Sequence, residues 1–176
     1  NNVPQIWFRV NTLTYTNNDF TTFLVNNEID FFQFEHIDEF FAPASKIGML
    51  LNSELFADGK ITVQDPSSGL VVKLLNPISG ETIIDGCSAP GGKMAYAAQL
   101  MMNKGKILSY DENPERLKKI SETIERLHIN IVEPDVKDLK IYDLPIVSKM
   151  LIDVPCTGTG VLSKRADLRW RRGLDD

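Results

Sequence analysis

Along the first sixty residues the apolar positions come in short clusters, Trp7-Phe8-Arg9-Val10 and Phe31-Phe32-Gln33-Phe34 among them, separated by Asn-rich turns. Runs this short and aromatic predict short strands, with one helix over Asn18 to Asn26. The cluster from Asp38 to Ala42 runs into Pro43, so any helix there is expected to stop early.

From Gln64 the pattern alternates. Ser67 to Leu75 is apolar at helical spacing and ends before Asn76-Pro77. Thr82-Ile83-Ile84-Asp85 is a short β-branched run, and Gly91-Gly92 opens a helix to about Met102. Ile107 to Tyr110 predicts a second strand, followed by Asp111. Asn113-Pro114-Glu115 is a helix start, with proline in the first turn and an early acid. Leu117, Ile120, Ile124 and Leu127 then share one face, with Lys118, Lys119 and Glu122 outside it. Ile129 to Val132 predicts a third strand, before Glu133-Pro134-Asp135, and Lys149 to Asp153 a fourth. Alternating strands and helices predict a parallel sheet. Each strand runs into an acid: Asp85, Asp111, Asp135 and Asp153. Ligands of such sheets bind at the carboxyl ends of the strands. Four acids there fit a ligand rich in hydroxyls and amines, or one carrying positive charge.

Composition narrows the class. With 176 residues, 43% hydrophobic and 24% charged, the chain is expected to form one domain, or one domain and a small lobe. No apolar run is long enough to span a membrane, and the N-terminus does not read as a signal peptide. Two cysteines, Cys87 and Cys156, make no disulfide framework, so a cytoplasmic location is expected. The net charge of −5 is carried by residues 1–60, which hold three Lys and Arg against eight Asp and Glu, and 11 of the 15 aromatic residues. His36 and His128 sit apart at no metal-ligand spacing, and no metal is expected.

The loop Asp85-Gly86-Cys87-Ser88-Ala89-Pro90-Gly91-Gly92-Lys93 joins the first parallel strand to its helix. It is not a phosphate loop, because Lys93 comes one place late and Met94 stands where Ser or Thr would hold magnesium. The dinucleotide fingerprint fails too: Gly158-Thr159-Gly160 resembles its start, but position 163 is Ser. Glycines still let the backbone approach a ligand, and the helix N-terminus offers donors for a carboxylate. A carboxylate, a ribose and an adenine amine together describe S-adenosylmethionine.

The same loop resembles the D-x-C-A-A-P-G-G-K-T loop of the NOL1/NOP2/Sun family of RNA cytosine-5 methyltransferases. Asp153-Val154-Pro155-Cys156-Thr157-Gly158-Thr159-Gly160 resembles that family's D-A-P-C-S-G-T-G signature. Gln64-Asp65-Pro66-Ser67-Ser68, Arg9-Val10-Asn11-Thr12-Leu13 and Asp167-Leu168-Arg169-Trp170 resemble three further motifs, in the family's order. Ser88, Met94, Val154 and Thr157 are small departures that should preserve the site, and Ala166 replaces a common proline.

The resemblance implies an incomplete Rossmann-like methyltransferase sheet over residues 63–176, preceded by a small α+β, RNA-contacting subdomain over residues 1–62. It implies that Cys87, Ser88, Ala89, Pro90, Gly91, Gly92 and Lys93 wrap the methionine part of S-adenosylmethionine. It further implies that Asp111 holds the ribose, Asp135 sits near the adenine amine, and Asp153 faces the reaction centre. Cys156 would assist product release. The nucleophile of the family stands in a T-C-S motif that is absent from these 176 residues, so the chain reads as a fragment that binds cofactor and does not turn over.

The chemistry suits these groups. A thiolate adding to C6 of cytosine makes C5 nucleophilic enough to take the methyl group, and a carboxyl beside the ring stabilises the developing charge. The expected partner is ribosomal RNA of the small subunit, met by a monomer, with its target base unstacked. Lys164, Arg165, Arg169, Arg171 and Arg172 form a candidate phosphate patch, to which Arg9 is added. Two alternatives stay open: a DNA cytosine-5 methyltransferase with Cys156 as nucleophile, and a non-catalytic RNA-binding module.

Overall fold

A computed structural model describes residues 5–154. Strands β1 (Phe8–Val10), β2 (Phe31–Gln33), β3 (Phe40–Pro43) and β4 (Ile61–Val63) pair antiparallel in the order β2-β3-β1-β4. Helix α1 (Asn17–Asn26) links β1 to β2, and the short α2 (Ile47–Leu51) and α3 (Glu54–Ala57) link β3 to β4. Thr16 starts α1 by accepting the amide of Asp19, and Ser53 starts α3 by accepting that of Phe56. Phe8, Phe20, Leu24, Phe41 and Ile61 close the core of this lobe, with Phe20 and Phe41 edge to face at 5.4 Å.

The Asp38–Ala42 cluster is largely strand, not an interrupted helix. Two adjacent aromatic residues of a strand point to opposite faces. Phe41 enters the core of the first lobe, and Phe40 packs into the core of the second, edge to face with Tyr96. Both demands are met at once only in an extended chain.

The second half contains α4 (Pro66–Leu75), β5 (Thr82–Gly86), α5 (Gly92–Leu100), β6 (Lys106–Asp111), α6 (Pro114–Arg126), β7 (Val132–Val136) and β8 (Lys149–Ile152). The four strands are parallel, in the order β7-β6-β5-β8. The strand sequence runs outward from β5 to β7 and then returns to the other side of β5. The switch point where open α/β sheets bind ligands therefore falls between β5 and β8. Asp65 caps α4 and Asn113 caps α6, each with proline at the first helical position; the sequence indicated the start of α6, and α4 begins one residue before the predicted Ser67. Ala95, Ala97 and Ala98 are buried beside Ile83, Met94, Met101 and Ile120. Gly69 lets α4 lie on Phe40, whose Cζ would be 2.6 Å from a Cβ at that position.

The third parallel strand lies later than Ile129 to Val132. His128 adopts φ +56° and the amide of Ile129 reaches back to the carbonyl of Ile124, a reverse turn that closes α6. Ile129 is thus the apolar plug of a helix end, and pairing with β6 begins at Val132. Pro134 is accommodated because β7 is the outer strand among the described residues.

Polar side chains stitch the two halves together. Asn11 Nδ2 donates to the carbonyls of Gly59 and Leu127, each at 3.0 Å. Arg126 donates from α6 to the Phe56 carbonyl and to Thr62 Oγ1, both at 2.9 Å, and lies over the Phe56 ring.

Candidate active site

Parallel pairing fixes where the strand-end groups emerge. Gly86 stands beside Ile152, so the loop leaving β5 and Asp153 leaving β8 come out together. Lys93, in the first turn of α5, reaches across and forms an ion pair with Asp153. Asp153 remains 58% exposed at its side chain and so is available to a ligand. Asp85 is different: it is 3% exposed and accepts a hydrogen bond from Ser88 Oγ at 3.1 Å. Burial pushes its carboxyl up to about 7, opposed by Ser88 and Lys93.

The loop is held from both sides. The amide of Ser88 donates to the Tyr110 carbonyl at 2.9 Å, and Thr123 Oγ1 donates to the Pro90 carbonyl at 2.9 Å. Arg116 Nη2 donates to the Ala89 carbonyl at 3.0 Å, and Gln64 Nε2 to the Gly92 carbonyl at 3.2 Å. Gly91 has φ +100°, and a Cβ there would lie 3.0 Å from Met94 Cε. Gly91 is also the N-cap of α5 and supplies no side-chain acceptor, whereas Thr16, Ser53, Asp65 and Asn113 cap their helices. The amides of the first turn of α5 thus face the loop with no capping side chain. A ligand carboxylate fits this end.

A cavity of about 230 Å³ joins these groups. The loop residues Cys87, Ser88, Ala89, Pro90, Gly92 and Lys93 line it with Asp153, and Gln64, Asp65, Ser68 and Asp85 complete the wall. A larger cavity, about 610 Å³, lies where the two lobes meet, between Thr14, Lys60, Glu125 and His128, away from the strand ends.

The residues named from the sequence thus divide. Asp111 and Asp135 do not line the smaller cavity. Asp111 is 2% exposed, and its carboxylate accepts the amides of Ala89 at 3.3 Å and Asn113 at 3.1 Å, with Arg116 at 3.6 Å. Asp135 is exposed on β7, paired with Lys137 at 3.5 Å. Lys137 in turn lies over the Tyr110 ring. Cys87 has its thiol pushed up, chiefly by burial and then by Asp111, which disfavours the reactive thiolate. Cys156, Lys164, Arg165, Arg169, Arg171 and Arg172 lie outside the described residues.

Arg9 is a correction. It is 1% exposed and bonded within the protein, so it does not present its charge to an RNA phosphate. Gln64, Asp65 and Ser68 were not named as site residues, and Asp85 was named only as one of the four strand-end acids. The signal was present for all four: Asp85 opens the glycine loop, and the others belong to the Gln64-Asp65-Pro66-Ser67-Ser68 motif. Among the described residues there is no cluster of His, Cys, Asp or Glu able to hold a metal, and no helix is long and apolar enough to cross a membrane.

A parallel sheet in this order, with a glycine loop at its switch point, is Rossmann-like. It superposes with a TM-score of 0.80 at 30% identity on a methyltransferase homologue of Pyrococcus horikoshii, covering 98% of this chain and 54% of that one, which places the fold in the class of S-adenosylmethionine-dependent methyltransferases. The chain belongs to the family described as 16S rRNA methyltransferase RsmB/F, whose model matches residues 72–176. It is 35% identical over 133 residues to the probable ribosomal RNA small subunit methyltransferase B of Bacillus subtilis (strain 168), covering 73% of this chain and 30% of that protein. It is 37% identical over 126 residues to a tRNA (cytosine(72)-C(5))-methyltransferase of Pyrococcus horikoshii, covering 69% and 32%. The crystal structure of PH0851 superposes with a TM-score of 0.90 at 34% identity, covering 99% of this chain and 40% of that one. The chain therefore spans about half the length of these relatives or less.

Proposed function

We propose that the protein to which this chain belongs transfers a methyl group from S-adenosylmethionine to C5 of a cytosine in small-subunit ribosomal RNA. The observation that carries this is the cavity at the β5–β8 switch point, where a glycine loop and a Lys93–Asp153 pair share one wall. The relatives' names support the RNA substrate, and one of them states the C5 position.

When bound, the cofactor supplies an electrophilic methyl group. The chain's own residues do the rest. The first-turn amides of α5 would take the cofactor's carboxylate, and Asp85, whose carboxylate form is favoured by Ser88 and Lys93 against burial, would serve its cationic end. Asp111, with its long Arg116 contact, would hold the ribose hydroxyls, and Asp135, paired with Tyr110 on the neighbouring strand, would serve the adenine amine. Asp153 and Lys93 present an acceptor and a donor to one edge of the flat target base, holding charge that develops as the ring is attacked at C6. The attacking thiolate and the role of Cys156 in product release belong to the part of the site outside the described residues. Residues 1–62 and 63–176 act as the RNA-side lobe and the cofactor domain, and the basic stretch from Lys164 to Arg172 supplies phosphate contacts.

The test is methyl transfer from labelled cofactor to small-subunit ribosomal RNA by the full-length protein, with the product base identified by mass spectrometry. 5-Methylcytosine is the expected product. Label in DNA alone, or on another position of the base, contradicts the proposal.

A further inference from the structure

Arg9 occupies the middle of β1, and its guanidinium is enclosed between the two lobes. Nε donates to Gln64 Oε1 at 2.6 Å, Nη1 donates to Gln99 Oε1, and the group lies over the Tyr96 ring, 4.8 Å from its centre. The two side chains it bonds are neutral amides. Burial lowers its pKa to about 10. Arg9 Nη2 and Gln99 Nε2 are buried with no hydrogen-bond partner. A buried cation held this way is a poor means of cohesion, because an apolar side chain of similar volume fills such a space at lower cost.

What the guanidinium does supply is direction. It can only donate, so the oxygen of the Gln64 amide must face it. The amide nitrogen of Gln64 is then turned the other way, to the carbonyl of Gly92 at 3.2 Å. Gly92 is the first residue of α5 and follows the bend at Gly91. We propose that Arg9 is a positioning residue that, through the polarity it imposes on Gln64, fixes the Gly92 carbonyl and so sets the glycine loop for the cofactor. This rests on the reading of that loop as the cofactor site. It gives the first lobe a part in cofactor affinity although Arg9 does not line the cavity.

Three forms of the chain are compared by calorimetry with S-adenosylhomocysteine and by thermal melting: wild type, Gln64→Glu and Gln99→Met. Gln64→Glu keeps an acceptor for Arg9 and loses the donor to Gly92. Its affinity is expected to fall about tenfold, with the melting temperature held or raised. Gln99→Met removes the other anchor of Arg9 and leaves the loop contact, so it lowers melting and keeps wild-type affinity. Wild-type affinity in Gln64→Glu, or an equal loss in both variants, overturns the proposal. If the wild type itself binds nothing, the cofactor reading fails, and the relay is judged from amide hydrogen exchange of the unliganded chain. Faster exchange at Gly92 and Lys93 in Gln64→Glu alone supports it, and unchanged exchange overturns it.

Discussion

The two lobes spend their polar side chains in opposite ways. In the antiparallel lobe Arg9 sits on a three-residue strand that is buried at every position, Asn11 follows it directly, and both turn inward to the seam with the second lobe. In the parallel lobe the polar groups gather at the carboxyl edge, where Asp153 stays half open and Lys93 crosses to it. The same residue types therefore join and orient buried segments in one lobe and face a ligand in the other. The difference lies in topology. The antiparallel sheet turns its buried inner strand β1 to the seam, whereas a parallel sheet whose strand order reverses opens a crevice at the reversal.

The comparison breaks most severely at the ion pair. Lys93→Ala or Asp153→Asn in the full-length protein is expected to cut methyl transfer about 10²- to 10³-fold, as for other lost charge-stabilising groups, with melting essentially unchanged. A comparable loss of melting temperature would move the pair from chemistry to structure. Next in size is Asp111→Ala, which frees the Ala89 amide and removes the carboxylate assigned to the ribose. Affinity for S-adenosylhomocysteine should drop about 10- to 150-fold by calorimetry, the equivalent of roughly 1.5–3 kcal/mol. Unchanged affinity removes Asp111 from the site.

Asn11→Ala reverses the pattern. It strips the Gly59 and Leu127 carbonyls of their shared donor, so stability to urea should fall by about 1–3 kcal/mol, while cofactor affinity holds. The gentlest probe is Asp85. Its folded-state pKa of about 7 exceeds the ordinary 3.8, so the stability it lends is fully present below the lower value and is lost as pH rises through the upper one. The urea midpoint of the unliganded chain should therefore decline from about pH 4 to about pH 7, and Asp85→Asn should flatten that decline. Parallel declines in both proteins would assign the effect to other groups.

Much of this was legible along the chain. The acids at the strand ends, the glycine loop and the capped start of α6 are local signals, because each depends on residues within one turn or one strand. Three features were not. Arg9 read as a phosphate contact because a charge on a short strand is ordinarily solvated, and only the docking of α5 against β1 buries it. The Ile129–Val132 run read as a strand because β-branched residues also serve to close a helix end. Phe40 and Phe41 were not read as a strand, only as a place where any helix would stop early, because the sequence does not show that two separate cores lie on either side of β3. Two of the three misreadings arise at the seam between the lobes, and the third from a local turn that closes α6.

The most direct measurement is an NMR titration of the 176-residue chain with S-adenosylhomocysteine. The amides from Cys87 to Lys93, together with that of Asp111, are expected to shift and to saturate on one binding curve. Saturable binding that leaves the loop amides unmoved, or a folded chain that does not bind at all, contradicts the assignment of the β5–β8 crevice to the methyl donor.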